Sequence, residues 1–270
     1  MAADRDDVDR ATIADFGSQW TRYTKNDGYY GSVHLLGDII EPLVAVEAVK
    51  GKRVAEIGSG SGRIINMLMD AGAAEAVALE PSEAFDVMVR NIGHWGERVR
   101  GVRGRGEDLP LDDFDYVFSI GVLHHVVDPA PIIRRALAAL KPGGHMLVWV
   151  YGHEGNEAYL RFATPLRRLT KTLPDPLLVA LSHLLMLPLD LYILLCHFLP
   201  LPMRDYMCGH LGKLDRLNRR ITIFDQLNPA YAKYYPEAEA RALLEDAGFI
   251  DVHLRHRHGY SWTVVGTKPG

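Results

Sequence analysis

Glu56-Ile57-Gly58-Ser59-Gly60-Ser61-Gly62 is the stretch on which the fold turns. It closes an apolar run over 53–57 and opens residues 63–71, where Ile64, Ile65 and Leu68 recur at helical spacing. A strand, a glycine turn and a helix in that order bring backbone N–H groups and a helix N-terminus close to a ligand. The dinucleotide pattern G-x-G-x-x-G, counted from Gly58, needs a third glycine where Arg63 stands. The next apolar run, 76–79, ends at Glu80-Pro81, about 20 residues beyond the glycine turn, where a carboxylate can accept both hydroxyls of a ribose.

Outward from there the chain alternates apolar runs with amphipathic stretches, the pattern of a parallel α/β sheet. Ser82 is placed to cap a helix carrying Phe85, Met88 and Val89, and strands are expected over 99–102 and 116–120. A helix over 130–140 stops at Lys141-Pro142-Gly143-Gly144, a turn that launches a strand over 146–151. Residues 152–228 hold no convincing strand. The α/β pattern resumes after Pro236 with a helix over 237–247, a Gly248 cap, a strand over 249–254, a hairpin at His258-Gly259 and a last strand over 261–266.

The chain has 270 residues, 48% of them hydrophobic and 24% charged, a balance that excludes disordered, collagen-like and disulfide-scaffold classes. The net charge of −4 argues against a nucleic-acid partner. Two cysteines, Cys196 and Cys208, form no framework, and the acidic start over residues 1–10 carries no secretory signal and reads as a loose tail. A cytoplasmic location follows. The mean hydropathy of −0.04 is high for so charged a chain, so one stretch must be unusually apolar.

Four motifs in one order carry a family resemblance. The acidic-x-G-x-G-x-G stretch at Glu56 resembles motif I of the class I S-adenosylmethionine-dependent methyltransferases. Gly106-Glu107-Asp108-Leu109-Pro110 resembles the loop after the third strand that closes over adenine. Phe114-Asp115-Tyr116-Val117-Phe118-Ser119-Ile120-Gly121-Val122-Leu123-His124-His125 resembles the family's FDxVxxxxVLHH strand, and Leu140-Lys141-Pro142-Gly143-Gly144 its L-K-P-G-G turn. One position departs: Arg105 stands where many relatives have an aspartate that reaches the adenine amine. The resemblance implies a doubly wound, Rossmann-like seven-stranded α/β sheet with a helical insertion between strands five and six. It implies S-adenosyl-L-methionine as cofactor, held by Glu56, Gly58, Ser59, Gly60, Gly62, Glu80, Pro81, Glu107, Asp108, Ser119, Ile120 and Gly121. The single domain 1–270 then divides into a leader or lid over 1–50, a cofactor core over 51–151, a substrate cap over 152–230 and a completion of the sheet over 231–270.

Methyl transfer from a sulfonium needs alignment and exclusion of water, and a base only where the acceptor must lose a proton. Ligands of doubly wound sheets sit beyond the carboxyl ends of the strands, which selects His124, His125, Tyr151 and, on the sixth strand's end, His258 as catalytic candidates. His256 and His258, two apart, should share one strand face with Arg255 and Arg257 on the other; no third ligand is close enough in sequence to suggest a metal, and none is expected. Trp20, Tyr29 and Tyr30 of an aromatic leader, Asn228, Tyr231 and Tyr235 of the loop re-entering the core, and Tyr260 are substrate-contact candidates. Asn228-Pro229-Ala230-Tyr231 is similar to the N-P-P-Y signature of adenine-directed amino methyltransferases but falls a full domain-half too late.

The apolar excess lies in 173–203, which holds thirteen leucines and no lysine or arginine. Asp190 and Pro188 in its middle argue against a bilayer span, since a central Asp costs roughly 2.5–3.5 kcal/mol on insertion scales. A helical cap over the active site is expected, with docking on a membrane surface as the alternative. A methyltransferase for a small hydrophobic or amphipathic molecule is the leading reading, and a membrane-surface enzyme acting on a lipid or isoprenoid is its variant. The rivals from other classes are a nicotinamide-dependent oxidoreductase and a non-catalytic cofactor-binding partner subunit. Oligomeric state is not legible.

Overall fold

The computed structural model describes residues 5–170, 175–227 and 231–270. Seven strands, β1 Arg53–Ile57, β2 Glu75–Glu80, β3 Val99–Arg103, β4 Phe114–Ile120, β5 Leu140–Tyr151, β6 Ile250–Arg257 and β7 Ser261–Thr267, form one sheet in the order β3-β2-β1-β4-β5-β7-β6. All run parallel except β7, which lies antiparallel between β5 and β6. This is the class I methyltransferase fold, with the helical insertion between β5 and β6 as expected.

The central strands are buried on both faces, so they read as apolar runs rather than as an alternation. Val54, Ala76, Tyr116 and Phe118 face one layer, where α2 (Val33–Ile40) and α3 (Arg63–Asp70) supply Leu36, Ile40, Ile65 and Leu68, and α4 (Phe85–Ile92) supplies Met88. Ala55, Val77, Val117 and Val148 face the other, packed by Ile133 and Ala136 of α5 (Ala130–Ala139) and Leu244 of α10 (Glu237–Glu245).

Three local expectations are corrected. Residues 5–10, read as part of a loose tail, belong to α1 (Arg5–Arg22), whose first turn carries Asp6 and Asp7 and is pinned by an Arg10–Asp7 ion pair. Lys141-Pro142-Gly143-Gly144 lies inside β5: Gly143 N–H donates to Lys268 and Gly144 accepts from it, so the turn is absorbed as an irregularity where the pairing slips between Phe114 and Tyr116. Ser82 is not the N-cap: its hydroxyl accepts from Ala84 N–H at 3.1 Å in the preceding turn, Ala84 takes the cap position two residues later, and α4 begins at Phe85.

The described part of the insertion holds four α-helices: α6 (Glu157–Thr170), α7 (Asp175–Phe198), α8 (Arg204–Gly209) and α9 (Arg216–Leu227). Leu178 of α7 packs with Leu181, Leu185 and Ile223, and Ile193 packs with Leu211, Leu214 and the leader residues Tyr29 and Tyr30. The cap therefore rests on the N-terminal segment as well as on itself.

Candidate functional site

The carboxyl ends of β1, β2, β4 and β5 meet at one edge, where the strand order reverses between β1 and β4. Gly58, Gly60 and Gly62 all have positive φ there, and all three are also required by close approach, Gly62 because a Cβ would stand 2.8 Å from Ile92 Cγ2. A Cβ on Gly58 would stand 2.5 Å from Val122 Cγ2, and one on Gly60 would stand 3.1 Å from Trp20 Nε1. The turn is thus a bare backbone cradle between the start of the β4 loop and the leader.

Glu80, at the end of β2, fixes that cradle. Its Oε2 accepts from Gly60 N–H at 2.8 Å and its Oε1 from Ser82 N–H at 2.9 Å. Each carboxylate oxygen keeps a second lone pair, so the residue still has capacity for two hydroxyls. Glu56 is buried beneath the turn, and its Oε2 has no hydrogen-bond partner among the described residues. Burial pushes its carboxyl up to about 8, against the pull of Ser59 and Arg63. An orphaned buried carboxyl oxygen, a glycine cradle and a ribose-competent acid together fit S-adenosylmethionine.

A cavity of about 530 Å³ opens from this cradle into the cap. Glu56, Gly58, Ser59, Gly60, Glu80, Pro81, Glu107, Ile120 and Gly121 line it, as do Trp20, Tyr30, His125, Tyr151 and Tyr260 among the other candidates. The leader closes one side. Asp9, Phe16 and Trp20 of α1 are on the wall, Phe16 lies 4.7 Å from the His125 ring, and Asn26 and Asn91 donate to the Ser61 carbonyl.

Other sequence candidates are placed elsewhere. Gly62 is off the wall and begins α3 in a left-handed conformation. Asp108 accepts from Arg105 N–H and shapes its own loop, while Ser119 is buried behind the wall. His124 is fully buried against Tyr151 at 3.9 Å and does not line the cavity. Tyr29 lies under the cap beside Lys213, and Tyr235 is a core residue whose backbone pairs with Tyr151 and His153. Tyr231 contributes its carbonyl to His125 Nδ1 at 2.8 Å. Asn228 lies outside the described residues.

His258 corrects the strand-alternation argument. β6 ends at Arg257, and His258 turns through a positive φ in the hairpin, so its ring leaves the His256 face and meets Asp38 at 2.9 Å. His256 instead stacks on Trp262. Arg257, read as one half of an exposed strand face, is 1% exposed and lines the cavity. Sequence reasoning missed Arg257, Tyr206, His210, Asn156 and Trp149 on the wall. Trp149 and Asn156 had a signal in their position beside the end of β5; the other three had none.

The rings form one continuous lining. Tyr234 stacks on Tyr151 at 5.2 Å, Tyr151 lies edge-on to Trp149 and His125, and Tyr206 lies 4.1 Å from Tyr260. Asn156 donates to the carbonyls of Gly152 and Tyr260, tying the entry of the cap to the β6–β7 hairpin. His125 has a defined tautomer when neutral: a carbonyl only accepts, so Nδ1 carries the proton and Nε2 the lone pair.

Residues 55–148 match the family described as methyltransferase domain. A tRNA U34 carboxymethyltransferase of Pseudoalteromonas translucida is 36% identical over 115 residues, 42% of this chain and 36% of the relative. A ubiquinone biosynthesis O-methyltransferase of Vibrio parahaemolyticus is 24% identical over 173 residues, 62% of this chain and 73% of the relative. Among solved structures, the 1,6-didemethyltoxoflavin-N1-methyltransferase of Burkholderia thailandensis superposes with a TM-score of 0.57 at 16% identity, over 100% of this chain and 92% of that one. The match to the tRNA-modifying relative thus spans little more than a third of its length, and the toxoflavin enzyme shares the fold.

Proposed function

From the premise that this chain carries a class I S-adenosylmethionine-dependent methyltransferase domain, we propose that it methylates a small hydrophobic or amphipathic molecule held beneath the helical cap. The observation that carries this reading is the continuity of the cavity. The glycine cradle and the ring-lined space under α7, α8 and α9 are one volume of a size suited to small ligands. The net charge of −4 makes a polyanionic acceptor a poor match for the chain.

When bound, S-adenosylmethionine supplies a methyl carbon already activated by its sulfonium. The chain's own residues then have three tasks. The Gly58–Gly60 backbone, Glu56 and Glu80 hold the nucleoside and amino-acid parts. α1, with Phe16 and Trp20 on the wall, keeps water out. His125, through Nε2, takes the proton of an acceptor hydroxyl or amine while the Tyr231 carbonyl holds Nδ1–H. Calorimetric titration with S-adenosylmethionine tests the first task, and no binding at millimolar concentration would overturn the assignment.

A second reading adds a location. The outer face of α7 exposes Leu177, Leu184, Leu187, Leu191, Leu194 and Phe198, with Leu184 and Leu187 each 68% and Phe198 78% exposed. Leu185 and Leu189 of the same helix line the cavity. A helix apolar outside and open to the pocket inside suits docking on a bilayer surface, from which a greasy acceptor enters. Flotation with phosphatidylglycerol–phosphatidylcholine vesicles tests it: the chain should float, and Leu184→Asp with Leu191→Asp should not. A parent chain that stays at the bottom of the gradient removes the membrane from the reading.

A further inference from the structure

The polar end of the cavity is built from distant parts of the chain. Arg257 Nε–H donates to the Asp38 carbonyl and to Asp38 Oδ2, its Nη2 pairs with Asp38 Oδ2 and reaches His210 Nδ1 at 3.2 Å, and its Nη1 donates to Tyr260 Oη at 2.5 Å. That accounts for four of the five N–H bonds of the guanidinium; the fifth, on Nη1, has no partner among the described residues. Because Arg257 only donates, His210 Nδ1 must accept, and the His210 proton sits on Nε2. Burial, helped by the Arg257 charge, keeps that imidazole neutral. Burial likewise pushes the phenols of Tyr206 and Tyr260 up, so both remain O–H donors at neutral pH.

Arg257, Tyr260, Tyr206 and His210 all line the cavity. All four side chains carry hydrogen-bond donors. The charge of this donor set is already balanced, since Asp38 is committed to Arg257 and to His258. Three other guanidiniums are on the wall: Arg63 lies over the Tyr30 ring beside the glycine turn, with its charge toward Glu56, Arg219 pairs with Asp190, and Arg105 belongs to the loop after β3. Trp149, Tyr151 and Tyr234 line the same cavity, so aromatic surface stands beside the donor set.

We propose that this cluster reads the acceptor, and that the acceptor class is a neutral aromatic ring bearing a carbonyl or hydroxyl oxygen that accepts from Tyr206 and from a second donor among Arg257, Tyr260 and His210. The proposal rests on the methyltransferase reading and deepens it. A neutral oxygen satisfies the donors without adding charge. A carboxylate would add a second anion beside Asp38 and leave one buried charge uncompensated, whereas an aliphatic tail would leave the donors without partners.

The test uses the full chain saturated with S-adenosylhomocysteine and two probes of one shape, 4-hydroxybenzamide and 4-hydroxybenzoate, titrated at pH 7. The amide should bind at least about tenfold more tightly than the carboxylate, a preference of one buried charge. Tyr206→Phe, which removes a donor and leaves the Arg257–Asp38 pair intact, should weaken the amide by about three- to tenfold and leave S-adenosylhomocysteine affinity as it was. Arg257→Gln, if it folds, leaves the Asp38 anion without its main partner and should widen the preference for the amide. Equal binding of the two probes, tighter binding of the carboxylate, or no effect of Tyr206→Phe overturns the proposal while S-adenosylhomocysteine binding leaves the cofactor assignment standing. Failure of S-adenosylhomocysteine itself to bind overturns both.

Discussion

Glu80→Gln separates the two jobs of that side chain. In the parent, the carboxylate accepts from Gly60 and Ser82 N–H and keeps one lone pair on each oxygen for a ribose hydroxyl. Glutamine is the same shape, but one oxygen becomes an NH₂ that confronts a backbone N–H and can no longer accept. A hydrogen bond to a charged acceptor contributes about 1.5–3 kcal/mol and one to a neutral acceptor about 1 kcal/mol less, so weakening one hydroxyl contact and losing the other should cost roughly 2–4 kcal/mol of cofactor binding. That is about thirtyfold to a thousandfold in Kd by calorimetry with S-adenosylhomocysteine. The confronted N–H costs the unliganded protein about 1–3 kcal/mol as well, which thermal melting reads as a drop of a few degrees. A 2′,3′-dideoxy analogue of the ligand distinguishes ribose contact from a loosened loop. It should bind parent and variant alike if the hydroxyls are the partners. A variant Kd within about threefold of the parent, in a protein that still melts cooperatively, would refute the assignment of Glu80 to the ribose.

Three other perturbations follow from the geometry. Gly58→Ala places a Cβ 2.5 Å from Val122 Cγ2 at φ +77, so it should lose the left-handed penalty of about 1–2 kcal/mol plus a steric part; Val122→Ala should restore only the steric part, as read by urea melts. Asp38→Asn strands the buried Arg257 charge and should cost about 3–5 kcal/mol near neutrality. Burial opposes ionisation of Asp38, but His258 and Arg257 outweigh it and hold the carboxyl well below the usual range, so the parent's advantage is present above pH 4 and fades only as stronger acid protonates it. Glu56 runs the other way. Its carboxyl, pushed up to about 8 by burial, favours the protonated form, so the unliganded parent should lose stability as pH rises from about 4.5 through 8. Glu56→Gln should match the parent near pH 5 and exceed it by a few kcal/mol at pH 9, and parallel stability curves would show that Glu56 ionises freely.

The half of the site that was legible in the sequence is local. The glycines at 58, 60 and 62 are needed by the backbone itself, and Glu80 follows at a spacing that the strand–helix–strand repeat imposes, so motif and geometry carry the same information. The half that was not legible is made by contacts far apart in the chain. Arg255-His256-Arg257-His258 reads as an exposed hairpin end, because buried arginine is rare and nothing nearby could neutralise it. Its partner Asp38 stands on α2, more than two hundred residues earlier, and only the closed sheet brings the two together. Alternation failed at His258 for a local reason: a positive φ ends the strand one residue sooner than the pattern assumes. The acidic start looked like a tail because its helix is polar on most sides, and α1 is held by contacts such as Asp9 with Val127 N–H rather than by an apolar stripe of its own.

The leucine-rich insertion shows why periodicity alone could not assign its role. α7 is apolar on two opposite faces, so neither face stands out as the buried one. Asp190 breaks the tie. Its oxygens pair with Arg219 at 2.7 Å and Arg216 at 3.2 Å, and Arg219 also donates to the carbonyls of Leu211, Gly212 and Leu214. The one acidic residue in 177–203 that pairs within the helical layer therefore points inward, fastening α7 to α9 across the cap. An inward Asp190 puts Leu185 and Leu189 on the cavity and leaves Leu184, Leu187 and Leu191 outside. The same carboxylate that argues against burying this helix in a bilayer fastens it over the cavity, with its other face apolar and exposed.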